Sequence, residues 1–302
     1  MSTVKPIIIK DLTKKYGDFT AIRELSFAVE AGEVFGFLGP NGAGKTTTIR
    51  ILTGLSRPTS GICKIFGQTI RDKIYQHIGV VFEENNLYQR LSGKENLDFF
   101  ARMYRVKEER VDLLLERYGL AEAASRPVKN YSKGMKRRLL ICRALLHEPD
   151  LLILDEPTSG LDPRSAEVIR EAIKDFKRAG KTVFLTTHYL EEADELCDRV
   201  AFISRGKIAA IDKPGVLKRK YGQPFLEIRI ESPVEKEEMK LKGILSAEDR
   251  IYRDSNTLTI RLSLDTQDAG RKLDKIRENF NVLDIHSQEA SLKEVFKQLT
   301  GD

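Results

Sequence analysis

No stretch of this sequence approaches the roughly 18 apolar residues that a membrane-crossing helix needs. The opening MSTVKPIIIK has no long apolar region, so no secretory leader is expected and any membrane role has to run through a partner. Cysteine is scarce. Cys63, Cys142 and Cys197 are far apart and form no C-x-x-C pair, which argues against a disulfide framework or a zinc site and points to small core residues in a reducing cytosol. Nor does one sign of charge dominate: 51 basic side chains face 45 acidic ones, a net charge of +6. That balance describes a solvated surface, compatible with phosphate ligands or an anionic membrane face but requiring neither. Charge itself is plentiful, at 32% of the 302 residues beside 41% apolar ones. Such a chain is globular and long enough for one large domain and a small one.

One stretch organises the rest. Gly39, Pro40, Asn41, Gly42, Ala43, Gly44, Lys45, Thr46 and Thr47 spell GPNGAGKTT, which contains G-x-x-x-x-G-K-[ST]. A loop of this kind wraps backbone N–H groups around phosphate oxygens, its lysine reaches the terminal phosphates, and its hydroxyl, here that of Thr46, can hold Mg²⁺. Val34, Phe35, Phe37 and Leu38 read as a short buried strand before the loop. Thr46 to Leu52 reads as a helix after it, whose N-terminus also faces the anion. The expected ligand is a nucleoside triphosphate with magnesium.

Further strands are expected at Ile7 to Lys10, Ala21 to Val29, Gly61 to Phe66 and His77 to Phe82, from alternating apolar positions. Tyr16, in a turn-like setting, is either an ordinary tyrosine or a stacking plate for a purine base. Ser92 to Glu148 has long helical patterns and almost no strand signal, so it reads as a helical insert punctuated by Gly119 and Pro127. Within it Ser132 sits where a helix begins and can cap it, and Gly134 lets a ligand approach the backbone. By itself that is also the pattern of a capped amphipathic helix with a basic face (Lys136, Arg137, Arg138). Leu151 to Leu154 suits a central parallel strand buried on both faces. Asp155 and Glu156 follow at its carboxyl end, where open α/β sheets bind ligands. Asp155 can hold the Mg²⁺ shell, and Glu156 can accept a proton from an attacking water. Thr182 to Thr186 is another strand, and it delivers His188 to the same edge. Val200 to Ser204 and Lys207 to Ile211 form a hairpin around Arg205 and Gly206.

Taken together, the phosphate loop, YSKGM, LLILDEP, SGLD and TTH make the chain resemble the ATP-binding subunit of an ABC transporter over about Ile7 to Gly222. The resemblance implies a P-loop NTPase α/β core with a mixed sheet, an antiparallel β subdomain and a helical insert. It implies Tyr16 as the adenine-stacking residue and Tyr131 to Met135 as the signature, with Ser132, Lys133, Gly134 and Met135 at the γ-phosphate. Glu156 becomes the general base, Ser159 to Asp162 the loop joining two subunits, and His188 the switch histidine. It further implies a dimer closing on two ATP molecules, each between one subunit's phosphate loop and the other's signature. Two positions depart from the family. YSKGM stands where LSGGQ is usual, so Lys133 replaces a glycine. Glu83 stands where a glutamine is usual; as a carboxylate it can still ligate Mg²⁺, directly or through water.

Beyond Gly222 a small α+β domain is expected, residues 223–302, after a basic turn-rich linker over Lys218 to Pro224. Its strands are read at Phe225 to Ile230, Leu258 to Leu262 and Val282 to Ile285, and its helices at Ala269 to Phe280 and Leu292 to Leu299. Acid pairs such as Glu237 and Glu238 read as solvated. The domain resembles the accessory domain on ATPases of drug, lipid, polysaccharide or sodium exporters. The expectation is an ATPase subunit on the inner face of the cell membrane, paired with a second copy, driving a permease carried on another chain and binding no nucleic acid. Two rivals stand beside it. One is a non-transport ABC ATPase, disfavoured by the single phosphate loop and by the lack of a long coiled coil. The other is a nucleotide sensor without turnover, disfavoured by intact Glu156 and His188.

Overall fold

A computed structural model describes residues 4–69, 73–84, 86–222, 224–231, 241, 243–246, 249–254, 257–264, 268–288 and 290–300. The chain divides into two compact units, Met1–Pro214 and Gly215–Asp302.

The first unit is built on two sheets. β1 (Ile7–Tyr16) and β2 (Phe19–Val29) pair antiparallel, and β4 (Ser60–Ile65) and β5 (Gln68–Thr69) extend them in the order β2-β1-β4-β5. The second sheet holds β3 (Val34–Leu38), β6 (Ile78–Val81), β7 (Leu151–Asp155), β8 (Thr182–Thr187), β9 (Arg199–Ser204) and β10 (Lys207–Asp212). Its order is β10-β9-β3-β8-β7-β6, parallel throughout except for the β9–β10 hairpin. β3, β7 and β8 are buried along their whole length, as apolar runs covered on both faces must be. Phe27 of β2 stacks on Phe35 of β3 at 5.4 Å and on Phe184 of β8 at 6.2 Å. This aromatic cluster joins the antiparallel sheet to the parallel one.

Helices follow in this unit: α1 (Lys45–Leu52), α2 (Gly93–Tyr104), α3 (Glu108–Arg117), α4 (Lys133–Leu145), α5 (Pro163–Arg178) and α6 (Leu190–Leu196), of which α2, α4 and α5 are capped by a side chain. α2 opens with a complete capping box, Ser92 and Glu95 each satisfying the other's backbone N–H. The helical insert is less separate than its sequence implies. α4 packs on β6 and α5 as well as on α2 and α3, so it belongs to both layers. The three cysteines are buried and unpaired, and burial pushes the Cys63 thiol up to about 12.

The second unit begins earlier than the sequence indicates. The expected linker is helical: α7 (Pro214–Tyr221) ends in Lys218, Arg219 and Lys220, cations at the helix terminus that favours them. β11 (Phe225–Glu231), β12 (Arg250–Asp254), β13 (Thr257–Ser263) and β14 (Val282–Gln288) form an antiparallel sheet in the order β12-β13-β11-β14. Ile228, Ile230, Leu258, Ile260 and Leu262 cover one face and pack with Ile276 of α8 (Ala269–Asn279); α9 (Leu292–Thr300) closes the chain. β12 escapes sequence reading because RIYRD is an edge strand with a single partner and little apolar burial. Glu237 and Glu238 lie outside the described residues.

Candidate functional site

The phosphate loop runs from the buried end of β3 into α1. Gly44 takes φ +111°, and a Cβ there would come within 2.9 Å of the Ala21 carbonyl, so both conformation and space require glycine. α1 has no acidic residue in its first turn, leaving its N–H groups and positive dipole end free for an anion. Lys45 is buried; its ammonium donates to the carbonyl of Gly39 at 2.7 Å and lies 3.2 Å from Glu156 Oε1.

The acids arrive on β7, whose parallel pairing with β8 sets Asp155 opposite Thr186. The Thr186 hydroxyl donates to Asp155 Oδ1 at 2.6 Å, while Oδ2 is buried without a partner. Burial raises the Asp155 pKa; the hydroxyls of Thr186 and Thr46 oppose this, and the charges of Glu156 and Glu83 add to it. An orphaned carboxylate oxygen beside a threonine hydroxyl and two further carboxylates is a hard, oxygen-rich environment that suits a divalent cation. Thr46, Asp155 and Glu83 are the residues that fit it.

Glu156 has φ +47°, a left-handed conformation uncommon outside glycine. Two bonds from its N–H to Thr186, to the carbonyl and to the hydroxyl, both at 3.1 Å, hold it there. Its Oε2 meets His188 Nδ1 at 2.7 Å. Phosphate loop, Glu83, Glu156, Ser159 and His188 line one cavity of about 470 Å³. A lysine, two glutamates and a histidine around an anion cradle can bind a triphosphate and activate a water beside it.

The second group of expected residues lies elsewhere. Ser132 caps α4, its hydroxyl accepting from the Met135 N–H at 3.2 Å, and that first turn also lacks an acid. Lys133, Gly134 and Met135 follow it. Asp162 caps α5 through the Ser165 N–H at 2.9 Å. A Cβ on Gly134 would come within 2.2 Å of Ser165 Oγ, and one on Gly160 within 2.2 Å of Lys133 Nζ. The loop from Ser159 to Asp162 thus touches the cavity at one end and the start of α4 at the other. None of Ser132, Lys133, Gly134, Met135 or Asp162 lines the cavity. Tyr131 turns inward instead, donating to the Ala123 carbonyl at 2.7 Å.

Two residues were not singled out from sequence. Arg137 is buried and donates to three backbone carbonyls: Phe82 at 2.7 Å, Glu83 at 3.3 Å and Glu156 at 3.4 Å. It ties the Glu83 segment to the Glu156 segment, yet in sequence it is one of three consecutive basic residues. Phe19 lines the cavity, whereas Tyr16 does not; the Lys14 ammonium sits 4.7 Å over the Tyr16 ring.

The ABC transporter family model matches residues 22–159. The fluoroquinolones export ATP-binding protein of Mycobacterium tuberculosis (strain CDC 1551 / Oshkosh) is 40% identical over 98% of this chain and 93% of its own. The daunorubicin/doxorubicin resistance ATP-binding protein DrrA of Streptomyces peucetius is 39% identical over 96% of this chain and 91% of its own. Among solved structures, the dimeric post-hydrolysis state of the ATP-binding cassette MJ0796, bound to ADP and Pi, superposes with a TM-score of 0.63 at 28% identity. It covers 68% of this chain and 98% of that one. The phosphate loop, the acids behind β7, the capped start of α4 and these relatives together place the chain in the ABC transporter family, as an ATP-binding subunit that hydrolyses ATP.

Proposed function

We propose that two copies of this chain close on two molecules of Mg·ATP and that the cycle drives export through a membrane permease carried on a separate chain. The observation that carries this reading is the division of anion-binding groups between two places in one chain. Lys45, Glu156 and His188 surround the cavity, while Ser132 and the acid-free start of α4 stand apart from it. A second copy supplying its α4 start to the first copy's triphosphate would complete the site.

In that site Gly39 to Thr47 cradle the phosphates and Lys45 neutralises the terminal ones. Thr46, Asp155 and Glu83 would hold magnesium, which supplies charge neutralisation of the phosphates when bound. Glu156 takes the proton of the attacking water, and His188, 2.7 Å from its carboxylate, orients it. Positioning and charge neutralisation account for most of the rate, because phosphoryl transfer asks for little covalent help. Tyr16 stacks on adenine from the rim. Lys133 adds positive charge at the signature, and Asp162 fixes the loop between the two copies. The second unit, Gly215–Asp302, forms the accessory domain.

The permease docks on the helical insert and the preceding loop. Tyr88, Phe99 and Met103 are exposed there, with Tyr88 and Phe99 in edge contact at 5.3 Å. No helix among the described residues is long and apolar enough to cross a membrane, which accords with a peripheral position on the inner face of the membrane. The exporter assignment and a drug-like cargo rest on the relatives named above.

The test is Glu156→Gln, which keeps shape and removes the base. It should bind Mg·ATP, hydrolyse it about 10²- to 10⁴-fold more slowly, and elute as a dimer in ATP on size exclusion. Normal turnover, or a monomer under those conditions, would overturn the reading.

A further inference from the structure

A cavity of about 580 Å³ lies in the second unit and uses none of the ATP-site residues. Cross-strand pairing explains its lining. Ile228, Ile260 and Leu262 turn to the core, so the alternate residues turn to the opposite face: Phe225 and Glu227 on β11, Arg261 and Ser263 on β13, Arg250 and Tyr252 on β12. α9 covers part of that face and contributes Glu294 and Lys297 to the cavity wall.

The charges on this face do not cancel. Arg250 stands directly opposite Arg261 in the register, a like-charge pair that a sheet ordinarily avoids. Arg261 is partly neutralised, by Glu227 at 3.2 Å and Glu294 at 3.5 Å. Arg250 and Lys297 pair with no carboxylate among the described residues. An adjoining hollow of about 360 Å³ shares these cations and adds Lys293. Flat groups are stacked beside them: the Arg261 guanidinium lies 4.6 Å over the Phe225 ring and 5.3 Å over the Tyr252 ring. Tyr252 remains 45% exposed.

We infer that the second unit binds a small planar aromatic anion in this cleft, its ring against Tyr252 and Arg261 and its acid group between Arg250 and Lys297. The volume falls in the range of sites for drug-sized ligands. Cations beside the half-exposed Tyr252 favour a flat anion over a neutral apolar molecule. The few cations, gathered around one cleft and not spread along a stripe, disfavour a nucleic-acid strand.

The probe is 8-anilinonaphthalene-1-sulfonate, titrated by fluorescence into the full chain with saturating Mg·ADP, so that the phosphate loop is occupied. One saturable site should appear, weakening with salt. The double variant Arg250→Glu, Lys297→Glu should lower affinity about tenfold or more. Arg250→Lys should retain binding, and this charge-preserving variant controls for folding. N-phenyl-1-naphthylamine, the uncharged analogue, should bind more weakly than the sulfonate. Displacement by salicylate would identify an aromatic carboxylate as the natural class, and displacement by AMP a nucleotide. Equal binding of charged and neutral dyes, indifference to the double charge reversal, or displacement by neither competitor would each overturn the inference.

Discussion

Single residues decide how the segments of the candidate site are held. Arg137 serves three carbonyls at once, and only a planar fork of donors can do that. Arg137→Met should cost about 2–4 kcal/mol of stability, since it strips buried carbonyls of their donor. It should also lower kcat at least tenfold, by freeing the Glu83 and Glu156 segments. Arg137→Lys should recover only part of either, read by thermal unfolding and steady-state turnover. Glu192 makes a second residue-scale case. It is buried in α6, and burial raises its pKa against the pull of the Thr158 and Thr187 hydroxyls and the charge of Arg170. A glutamate raised in the folded state favours folding most when protonated. Its contribution is fully present below the ordinary value of about 4.3 and is lost as pH rises through the folded value. Glu192→Gln should therefore raise Tm near neutral pH by about 2–4 °C per kcal/mol of relieved cost. The gain should shrink toward pH 4, and a gain that grows on acidification would contradict this account.

At the scale of elements, α4 and α5 meet at their starts. Ser132 caps one and Asp162 the other, and Gly134 brings them together so closely that an added methyl would meet Ser165 at both Oγ and Cβ. Gly134→Ala should displace the α4 N-terminus, which the proposed dimer needs, while leaving the phosphate loop of the same chain untouched. The expected outcome is unchanged Mg·ATP affinity with turnover and ATP-dependent dimerisation reduced at least tenfold. Ser165→Gly, by restoring the space, should recover part of both. Loss of nucleotide binding in Gly134→Ala would show that the α4 start acts within its own subunit.

For the whole molecule, the two units each carry their own buried core, one around Phe27, Phe35 and Phe184, the other around Ile228, Ile260 and Ile276. Residues 1–214 alone should therefore fold cooperatively and bind Mg·ATP within about threefold of the full chain, a factor worth roughly 0.6 kcal/mol. They should lose the single saturable site for the aromatic sulfonate. Calorimetric unfolding and fluorescence titration of the truncated chain test both halves of this expectation.

Much of the molecule is legible in local pattern, because the features concerned are short-range. GPNGAGKTT needs only its own glycines and the following helix to form an anion cradle. LLIL ending in Asp155 and Glu156 reports a doubly covered strand by its lack of any polar position. Ser132 announces a helix start through its own side chain. Contacts between distant segments leave no such mark. Arg137 looked like one of three surface cations until folding placed Phe82, Glu83 and Glu156 around it. Tyr16 and Phe19 are three residues apart, and only the path of the β1–β2 turn decides that Phe19 lines the cavity. β12 stayed hidden because an edge strand buries too little to show a period. The sequence alone determined the ATP-binding loop, the acids behind the central strand and the serine-capped start of α4, since each is encoded in adjacent residues. Tertiary structure alone decided how Glu156 is held between Lys45 and His188, and that Arg250 would face Arg261 beside two aromatic rings, because the first depends on segments far apart in the chain and the second on a hairpin register that no local period announces.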